Sequence, residues 1–228
     1  MSEPDAASRR EVIVGKNSAI WRTLSGDPAM ARRFPTVLGH RDVEAFTFQP
    51  TDRVWVLSYS REEAANARLL QMLTDRGARD IVYFSSATTN VARRTGCYDY
   101  PRAKLHAETL ARDVHGARIV TLGVLYRTIA DLPAGTTIAT SFDQLAHFML
   151  DPRWTADEGG RVLLFAPVDK PFSGAAERLA YRLYAVGMSL AGRWPCALRP
   201  VDYVLRALGY RWYGYVYLSN RLWLTTTS

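Results

Sequence analysis

The sequence predicts an α/β protein: a Rossmann-like parallel sheet with helices on both faces, joined to a small C-terminal substrate lobe. Short apolar runs alternate with helical patterns over residues 12–125, which is typical of βαβ units with right-handed crossovers. This rhythm changes beyond Arg127. We therefore expect one compact unit, with a flexible tail over residues 1–10, a nucleotide-binding region over 11–130 and a substrate-binding lobe over 131–228.

Short apolar segments predict the first three strands. Val12 to Val14 form a run that ends at Gly15, as a buried strand does. A helical pattern follows over residues 20–30. Thr36 to Gly39 is a second, short strand, and Arg53 to Ser58 is a third, because β-branched and aromatic residues dominate it.

The next elements continue the alternation. Glu62 to Arg76 has apolar residues at helical spacing and ends before a glycine, and Ile81 to Phe84 is a buried strand. A helix is expected over Tyr100 to Asp113 and a strand over Arg118 to Leu125. The C-terminal lobe is expected to contain a helix, a strand and an amphipathic helix, in that order: Phe142 to Leu150, Arg161 to Phe165 and Ala175 to Leu190.

Composition limits the classes of function. Hydrophobic residues make up 48% and charged residues 22% of the chain, which is ordinary for a globular protein. The net charge of +7 would attract an anionic ligand. Nucleic acid is not favoured, because no zinc-ligand spacing, basic heptad region or aromatic RNA-binding motif accompanies the charge. A phosphorylated small molecule or peripheral contact with an anionic membrane surface accounts for it equally well.

The cysteines and the first residues indicate the compartment. Cys97 and Cys196 are too few for a disulfide framework, and neither belongs to a metal-binding cluster, so no metal is expected. The first residues lack the charged and then hydrophobic order of a secretory signal, and no apolar stretch approaches the roughly 20 residues of a spanning helix. We expect a cytoplasmic protein.

Tyr100 and Lys104 suggest an acid–base centre. They are four residues apart in a predicted helix, so both side chains lie on one face. An ammonium beside a phenol lowers the tyrosine pKa from its ordinary value of about 10, which makes the tyrosine a usable general acid or base. Ser85 and Ser86 end the preceding strand, at the sheet edge where open α/β folds bind ligands. The alternative is an aromatic ring packed beneath a solvated lysine.

From Val12 to about Leu150 the sequence resembles the extended short-chain dehydrogenase/reductase family, in particular its epimerase and dehydratase branch. The densest likeness is NARLLQMLTDRGARDIVYFSSATT followed by YPRAKLHAE. The family's ordered positions are matched by Asn66, the Ser85/Ser86 pair, Tyr100 with Lys104, and Glu108. The resemblance implies that Tyr100 exchanges the proton, that Lys104 tunes its pKa, and that Ser86 holds the reacting oxygen. Ser85 and Tyr98 are the alternatives for these roles.

The resemblance also implies a dinucleotide, NADP or NAD, and a homodimer. The expected cofactor contacts are Gly15, Lys16, Asn17, Ser18, Ile20, Arg41, Leu57, Ser58, Tyr59 and Tyr126. The family's glycine turn is incomplete, because Ser18 and Trp21 replace its second and third glycines, and the segment before the third strand is short. His40 and Arg41 offer positive charge where an acidic residue would bind a ribose hydroxyl, which favours NADP.

Three functions remain open, of which the third is a nucleic-acid or membrane-surface binder that uses the positive charge of the chain and releases its partner as salt is raised. The first is an NAD(P)-dependent oxidoreductase or epimerase acting on a sugar or nucleotide sugar. The second is a binding or regulatory subunit in polysaccharide biosynthesis that has lost the hydride chemistry. Residues 197–224 interleave arginines with aromatic residues, which fits a substrate cap, a membrane-interface surface or a packed aromatic lobe. In a cap, Arg199 and Arg206 would contact a diphosphate.

Overall fold

The computed structural model describes residues 9–151, 160–208 and 213–226, so most of the tail predicted over residues 1–10 lies outside it. Backbone contacts divide the chain into two compact units that interleave in sequence. The first unit comprises Met1–Ser85, His106–Thr121 and Phe142–Leu164, and the second comprises Ser86–Leu105, Leu122–Ser141 and Phe165–Ser228. The division of function expected at residue 130 stays a prediction.

The strands are β1 (Glu11–Val14), β2 (Thr36–Leu38), β3 (Arg53–Val56), β4 (Asp80–Ser86), β5 (Arg118–Leu122), β6 (Val124–Tyr126), β7 (Gly135–Ser141), β8 (Arg161–Leu164) and β9 (Ala166–Lys170). The helices are α1 (Ala19–Leu24), α2 (Pro28–Arg33), α3 (His40–Ala45), α4 (Glu63–Asp75), α5 (Thr89–Thr95), α6 (Asp99–Thr109), α7 (Phe142–Leu150), α8 (Ala175–Ala191), α9 (Pro195–Ala207) and α10 (Gly214–Thr226). A π-helical turn at Leu110–Val114 extends α6.

The first unit contains a six-stranded sheet with the order β2-β1-β3-β4-β5-β8. Strand β1 is parallel to both β2 and β3, and β3 is parallel to β4. The chain runs from β1 to one neighbour and then returns to the other, which creates a switch point at the carboxyl ends of β1 and β3. The predicted Rossmann-like α/β sheet is therefore confirmed. Strand β8, which we expected in the C-terminal lobe, is an edge strand of this sheet.

Both faces of this sheet are covered, which explains its continuous apolar strands. On one face, Val12 and Val54 pack in a core cluster with Leu70 of α4. On the other face, the ring of Trp55 lies 5.9 Å from Phe34 and 5.9 Å from Phe84. Successive side chains of a strand point to opposite faces, so one strand supplies both clusters.

The second unit is built on a three-stranded sheet with the order β6-β7-β9. The single strand expected over Arg118 to Leu125 is divided at Gly123 into β5 and β6. A Cβ atom at Gly123 would lie 2.5 Å from the Ile138 carbonyl oxygen and 2.7 Å from the Ala139 Cα, so only glycine allows this approach to β7. The Gly123 amide donates to Thr140 Oγ1 at 2.9 Å.

The helices of the second unit pack around their own core. Tyr184 and Met188 of α8 are buried with Leu198 of α9 and with Tyr98. The buried carboxylate of Asp202 accepts hydrogen bonds from the Gly214 amide at 3.0 Å and from the Tyr184 hydroxyl at 3.3 Å. These bonds satisfy a charge that would otherwise be costly to bury. None of the helices in the described ranges is long and apolar enough to cross a membrane.

Candidate functional site

The first unit has a cavity at the switch point of its sheet. It has a volume of about 760 Å³ and lies among the turns that follow β1, β2 and β3. Its lining residues are Gly15, Lys16, Asn17, Ser18, Gly39, His40, Arg41, Asp42, Leu57, Ser58 and Tyr59. Open α/β sheets bind ligands at this position, because the carboxyl ends of the strands leave a crevice there.

Gly15 makes the turn after β1 possible. Its φ of +127° is a conformation that side chains rarely allow, and a Cβ atom there would lie 2.9 Å from the Ser58 backbone nitrogen. Its amide donates to the Leu38 carbonyl at 2.8 Å, and the Lys16 amide donates to the same oxygen at 3.1 Å. The floor of the cavity is therefore held by backbone contacts between three strands.

Trp21 does not line the cavity, although it stands where the family's turn has its third glycine. Its buried ring lies 6.1 Å from the ring of Phe34, in the aromatic cluster on one face of the sheet. Ser18 caps α1, because its hydroxyl oxygen accepts the Trp21 amide at 3.0 Å. The two departures from the glycine motif are thus accommodated without filling the cavity.

Basic residues line the part of the cavity next to α3. Arg41 and His40 open α3, and the His40 Nε2 is hydrogen-bonded to the Ser58 hydroxyl. The carboxylate of Asp42 accepts the Gly39 amide at 2.8 Å and so caps the same helix. With Lys16 also in the lining, the cavity suits an anionic ligand.

Eight of the ten predicted cofactor contacts line this cavity. The other two are Ile20, which lies on α1 outside the lining, and Tyr126, which lies on β6 in the second unit. Gly39 and Asp42 were not among the predicted contacts, and His40 was considered only as a positive charge beside Arg41. Helix α3 has six residues, too few to give a periodic apolar pattern.

The structure distinguishes the two serines at the end of β4. The Ser85 hydroxyl donates at 2.5 Å to the carboxylate of Glu108, which is fully buried and also paired with Arg161. The Ser86 hydroxyl forms a 2.9 Å hydrogen bond with that of Thr88 and is only partly buried. The Ser85 hydroxyl is thus bound to a buried ion pair. Ser86 is therefore the better candidate for a substrate contact.

Asn66, which also matches the family pattern, binds backbone. Its side-chain amide donates to the Ser60 carbonyl at 2.8 Å, and its carbonyl oxygen accepts the Ser60 amide at 2.8 Å. It therefore fixes the segment between β3 and α4. A short polar side chain of this kind often anchors a turn in this way.

Tyr100 and Lys104 lie one turn apart on α6, as predicted, and belong with Ser86 to the second unit. Tyr100 is exposed and its ring is 5.8 Å from that of Tyr215, whereas Lys104 is buried. Tyr98 is buried, and desolvation, followed by the charge of Asp202, raises the pKa of its hydroxyl well above the ordinary value. Tyr98 is consequently a poor proton donor or acceptor near neutral pH.

The second unit has a cavity of its own, with a volume of about 910 Å³, between the three-stranded sheet and the helices. Among its lining residues are the three tyrosines Tyr181, Tyr213 and Tyr217, together with Asn220 and Thr136. Tyr213, Tyr217 and Asn220 lie in the segment 197–224 that was considered as a substrate cap, but none of the five was predicted as a contact, because distant segments meet here without a local pattern. Of the arginines expected to contact a diphosphate, Arg199 pairs with Asp99, and the side chain of Arg206 lies outside the described residues.

The chain has the fold of the short-chain dehydrogenases/reductases. No family model matches the sequence, and no curated protein is significantly similar to it. The structure is similar to that of a nucleoside-diphosphate-sugar epimerase from Staphylococcus aureus, with 14% identity and a TM-score of 0.54 over 91% of both chains.

Two further structures are similar. A short-chain dehydrogenase/reductase superfamily protein from Agrobacterium tumefaciens with bound NAD is 14% identical, with a TM-score of 0.52, over 77% of this chain and 82% of that one. A capsular polysaccharide assembling protein from Staphylococcus aureus is 13% identical, with a TM-score of 0.48, over 69% of this chain. The chain spans 54% of that protein's length.

Proposed function

We propose that the protein is an NAD(P)-dependent oxidoreductase or epimerase of the short-chain dehydrogenase/reductase type, acting on a sugar or nucleotide-sugar carbonyl or alcohol. One observation carries the proposal. Eight residues that the sequence resemblance names as cofactor contacts come together around one cavity at the switch point of the sheet. They come from the turns after β1, β2 and β3, which the strand order brings to one sheet edge.

The cavity's chemistry supports a dinucleotide, and NADP in preference to NAD. Lys16 and Arg41 offer positive charge, and a guanidinium is well suited to a ribose phosphate. Asp42 has one carboxylate oxygen already bound to the Gly39 amide, which leaves it less able to bind a ribose hydroxyl. When bound, the cofactor would supply or accept hydride.

The proton chemistry is assigned to the second unit. Tyr100 would give a proton to the substrate oxygen or take one from it, and Lys104, one turn along α6, would stabilise the phenolate form. The Ser86 hydroxyl would hydrogen-bond to the reacting oxygen. The commitment of Ser85 to Glu108 and the burial of Tyr98 support these choices.

The second-unit cavity is our candidate site for the part of the substrate away from the reacting oxygen, because Ser86, Tyr100 and Lys104 are not among its described lining residues. Tyrosine rings offer flat apolar surfaces, and amide and hydroxyl groups such as those of Asn220 and Thr136 can bind sugar hydroxyls. The likeness to the staphylococcal epimerase supports a nucleotide-sugar substrate. We also propose a homodimer, which analytical ultracentrifugation would test.

Calorimetric titration with NADPH and NADH tests the cofactor assignment. We expect NADPH to bind, and Arg41→Gln to weaken it about tenfold or more, since one hydrogen bond to a charged group is lost, while NADH affinity stays unchanged. Arg68→Gln, at an exposed arginine on α4, is the matched control and should alter neither affinity. Absence of binding by both dinucleotides at millimolar concentration would contradict the proposal.

A second candidate function is a binding or regulatory subunit in polysaccharide biosynthesis. It is favoured by the loss of two glycines at Ser18 and Trp21 and by the six-residue α3 in the shortened middle of the chain. This function predicts that neither dinucleotide binds, so the same titration separates the two.

A further inference from the structure

Helix α8 carries an apolar stripe that the fold leaves uncovered. Leu179, Leu183, Val186 and Leu190 recur at helical spacing and are between 49% and 59% exposed. The opposite side of the helix, represented by Tyr184, is buried in the core of the second unit. A helix that packs through one face normally has a polar second face, so folding of this unit alone does not account for the stripe.

The apolar stripe is continued by the segment that follows it. Trp194, Tyr203 and Val204 are between 53% and 77% exposed. Helix α9 packs on α8, because Leu205 Cδ1 would lie 3.5 Å from a Cβ atom at Gly187. We call these seven exposed residues the apolar face: Leu179, Leu183, Val186, Leu190, Trp194, Tyr203 and Val204.

The positive charge of the C-terminal segment indicates what kind of surface could cover the apolar face. Residues 175–228 contain seven arginines and no lysine, against Glu177 and Asp202, so they account for +5 of the chain's net charge of +7. Asp202 is buried, whereas Arg178 and Arg182 lie exposed one turn apart beside the stripe. A second copy of this face would bring arginine against arginine. A surface of negative charge would be complementary.

We propose that the apolar face binds the surface of a bilayer that contains anionic lipid. The leucines and valines of the apolar face would enter the boundary of the acyl chains, and Trp194 and Tyr203 would lie at the level of the headgroups. Arg178 and Arg182 would contact lipid phosphates. This binding is peripheral and requires neither the cofactor nor the substrate of the proposed function.

Co-sedimentation of the full chain with vesicles tests the inference. Vesicles of phosphatidylglycerol mixed with phosphatidylcholine should bind the protein more tightly than phosphatidylcholine alone, with an affinity that falls as salt is raised. Leu183→Gln should weaken binding about tenfold and Arg182→Gln about fivefold. Both residues are exposed, so the fold, monitored by circular dichroism, should be retained.

Two matched controls sharpen the test: Leu163→Gln on β8 and Arg68→Gln on α4, both at exposed positions, should leave vesicle binding unchanged. Equal binding to both kinds of vesicle would overturn the proposal, as would equal losses for Leu163→Gln and Leu183→Gln. If Leu183→Gln instead lowered the molecular mass in ultracentrifugation and left vesicle binding intact, the face would be assigned to a second copy of the chain.

Discussion

The two cavities of this protein differ in what creates them. The first-unit cavity follows from strand order, since turns after three adjacent parallel strands must meet at one sheet edge. The second-unit cavity depends on how α8 and α10 pack on a small sheet, and no rule of topology fixes its position. The first-unit cavity can therefore be located from a sequence pattern, whereas the second-unit cavity requires the packed structure.

The largest effect is expected at the proposed proton donor of the second unit. Tyr100→Phe should lower turnover of a sugar-nucleotide substrate, once one is identified, by about 100-fold to 10,000-fold, because the acid–base group is lost. Tyr98→Phe is the matched control. It removes a buried hydroxyl that has no hydrogen-bond partner among the described residues, and it should leave turnover unchanged. Comparable losses in both variants would remove the basis for choosing Tyr100.

A pair of leucines tests the contrast between the covered sheet and the open helix. Leu70→Ala, at a buried position in the first unit, should lower the free energy of unfolding by about 2–5 kcal/mol. Leu183→Ala, at an exposed position in the second unit, should change it by about 0.5 kcal/mol or less. Urea denaturation measures both. A large loss for Leu183→Ala would mean that this face is buried in the protein in solution.

A pair of glycines tests whether the first-unit turn is tighter than its counterpart in the second unit. Gly15→Ala should cost about 1–3 kcal/mol of stability, because the alanine would adopt a strained φ and contact the Ser58 backbone. Gly96 also has a positive φ, of +65°, but nothing lies near its Cβ position, so Gly96→Ala should cost about 1 kcal/mol. Equal costs measured by thermal unfolding would argue against the close approach at Gly15.

The smallest effect concerns pH and His115 of the first unit. Burial lowers the pKa of this imidazole below 6.5, and its Nδ1 is 2.7 Å from the Thr74 hydroxyl. The folded state then binds the proton less readily than the unfolded state. Stability from this group is complete above pH 6.5 and declines as pH falls towards the folded pKa. In His115→Gln, the midpoint of urea unfolding should change less with pH over that range than it does in the unsubstituted protein.

The strands and the turn at Gly15 could be predicted because their sequence signals are local. The run from Val12 to Val14 ends at Gly15, and RVWVLS ends at the turn that contributes Ser58. The switch-point rule then brings the two turns together without further information. The position of Tyr100 one turn before Lys104 on a helix was equally accessible, since it needs only the helical repeat.

The remaining features depend on contacts between distant segments. The break at Gly123 exists because β7 passes close to that position. Asn220 lines the second-unit cavity, and its side-chain oxygen accepts the Ile138 amide at 3.0 Å. The repeat on α8 gives apolar positions on both sides of the helix, and only the packed core identifies which side stays exposed. The resemblance favoured Ser86 over Ser85, but the physical reason, the contact of Ser85 with Glu108, needs the structure.

The interleaving of the units limits how this gene could be cut or recombined. The chain crosses from one unit to the other five times, and a fragment ending at residue 130 would separate β8 from the sheet that it completes. The remaining piece would lack β6 and α5, which belong to the second unit. Neither unit can be exchanged as a contiguous cassette, so the two have to be inherited, expressed and engineered together.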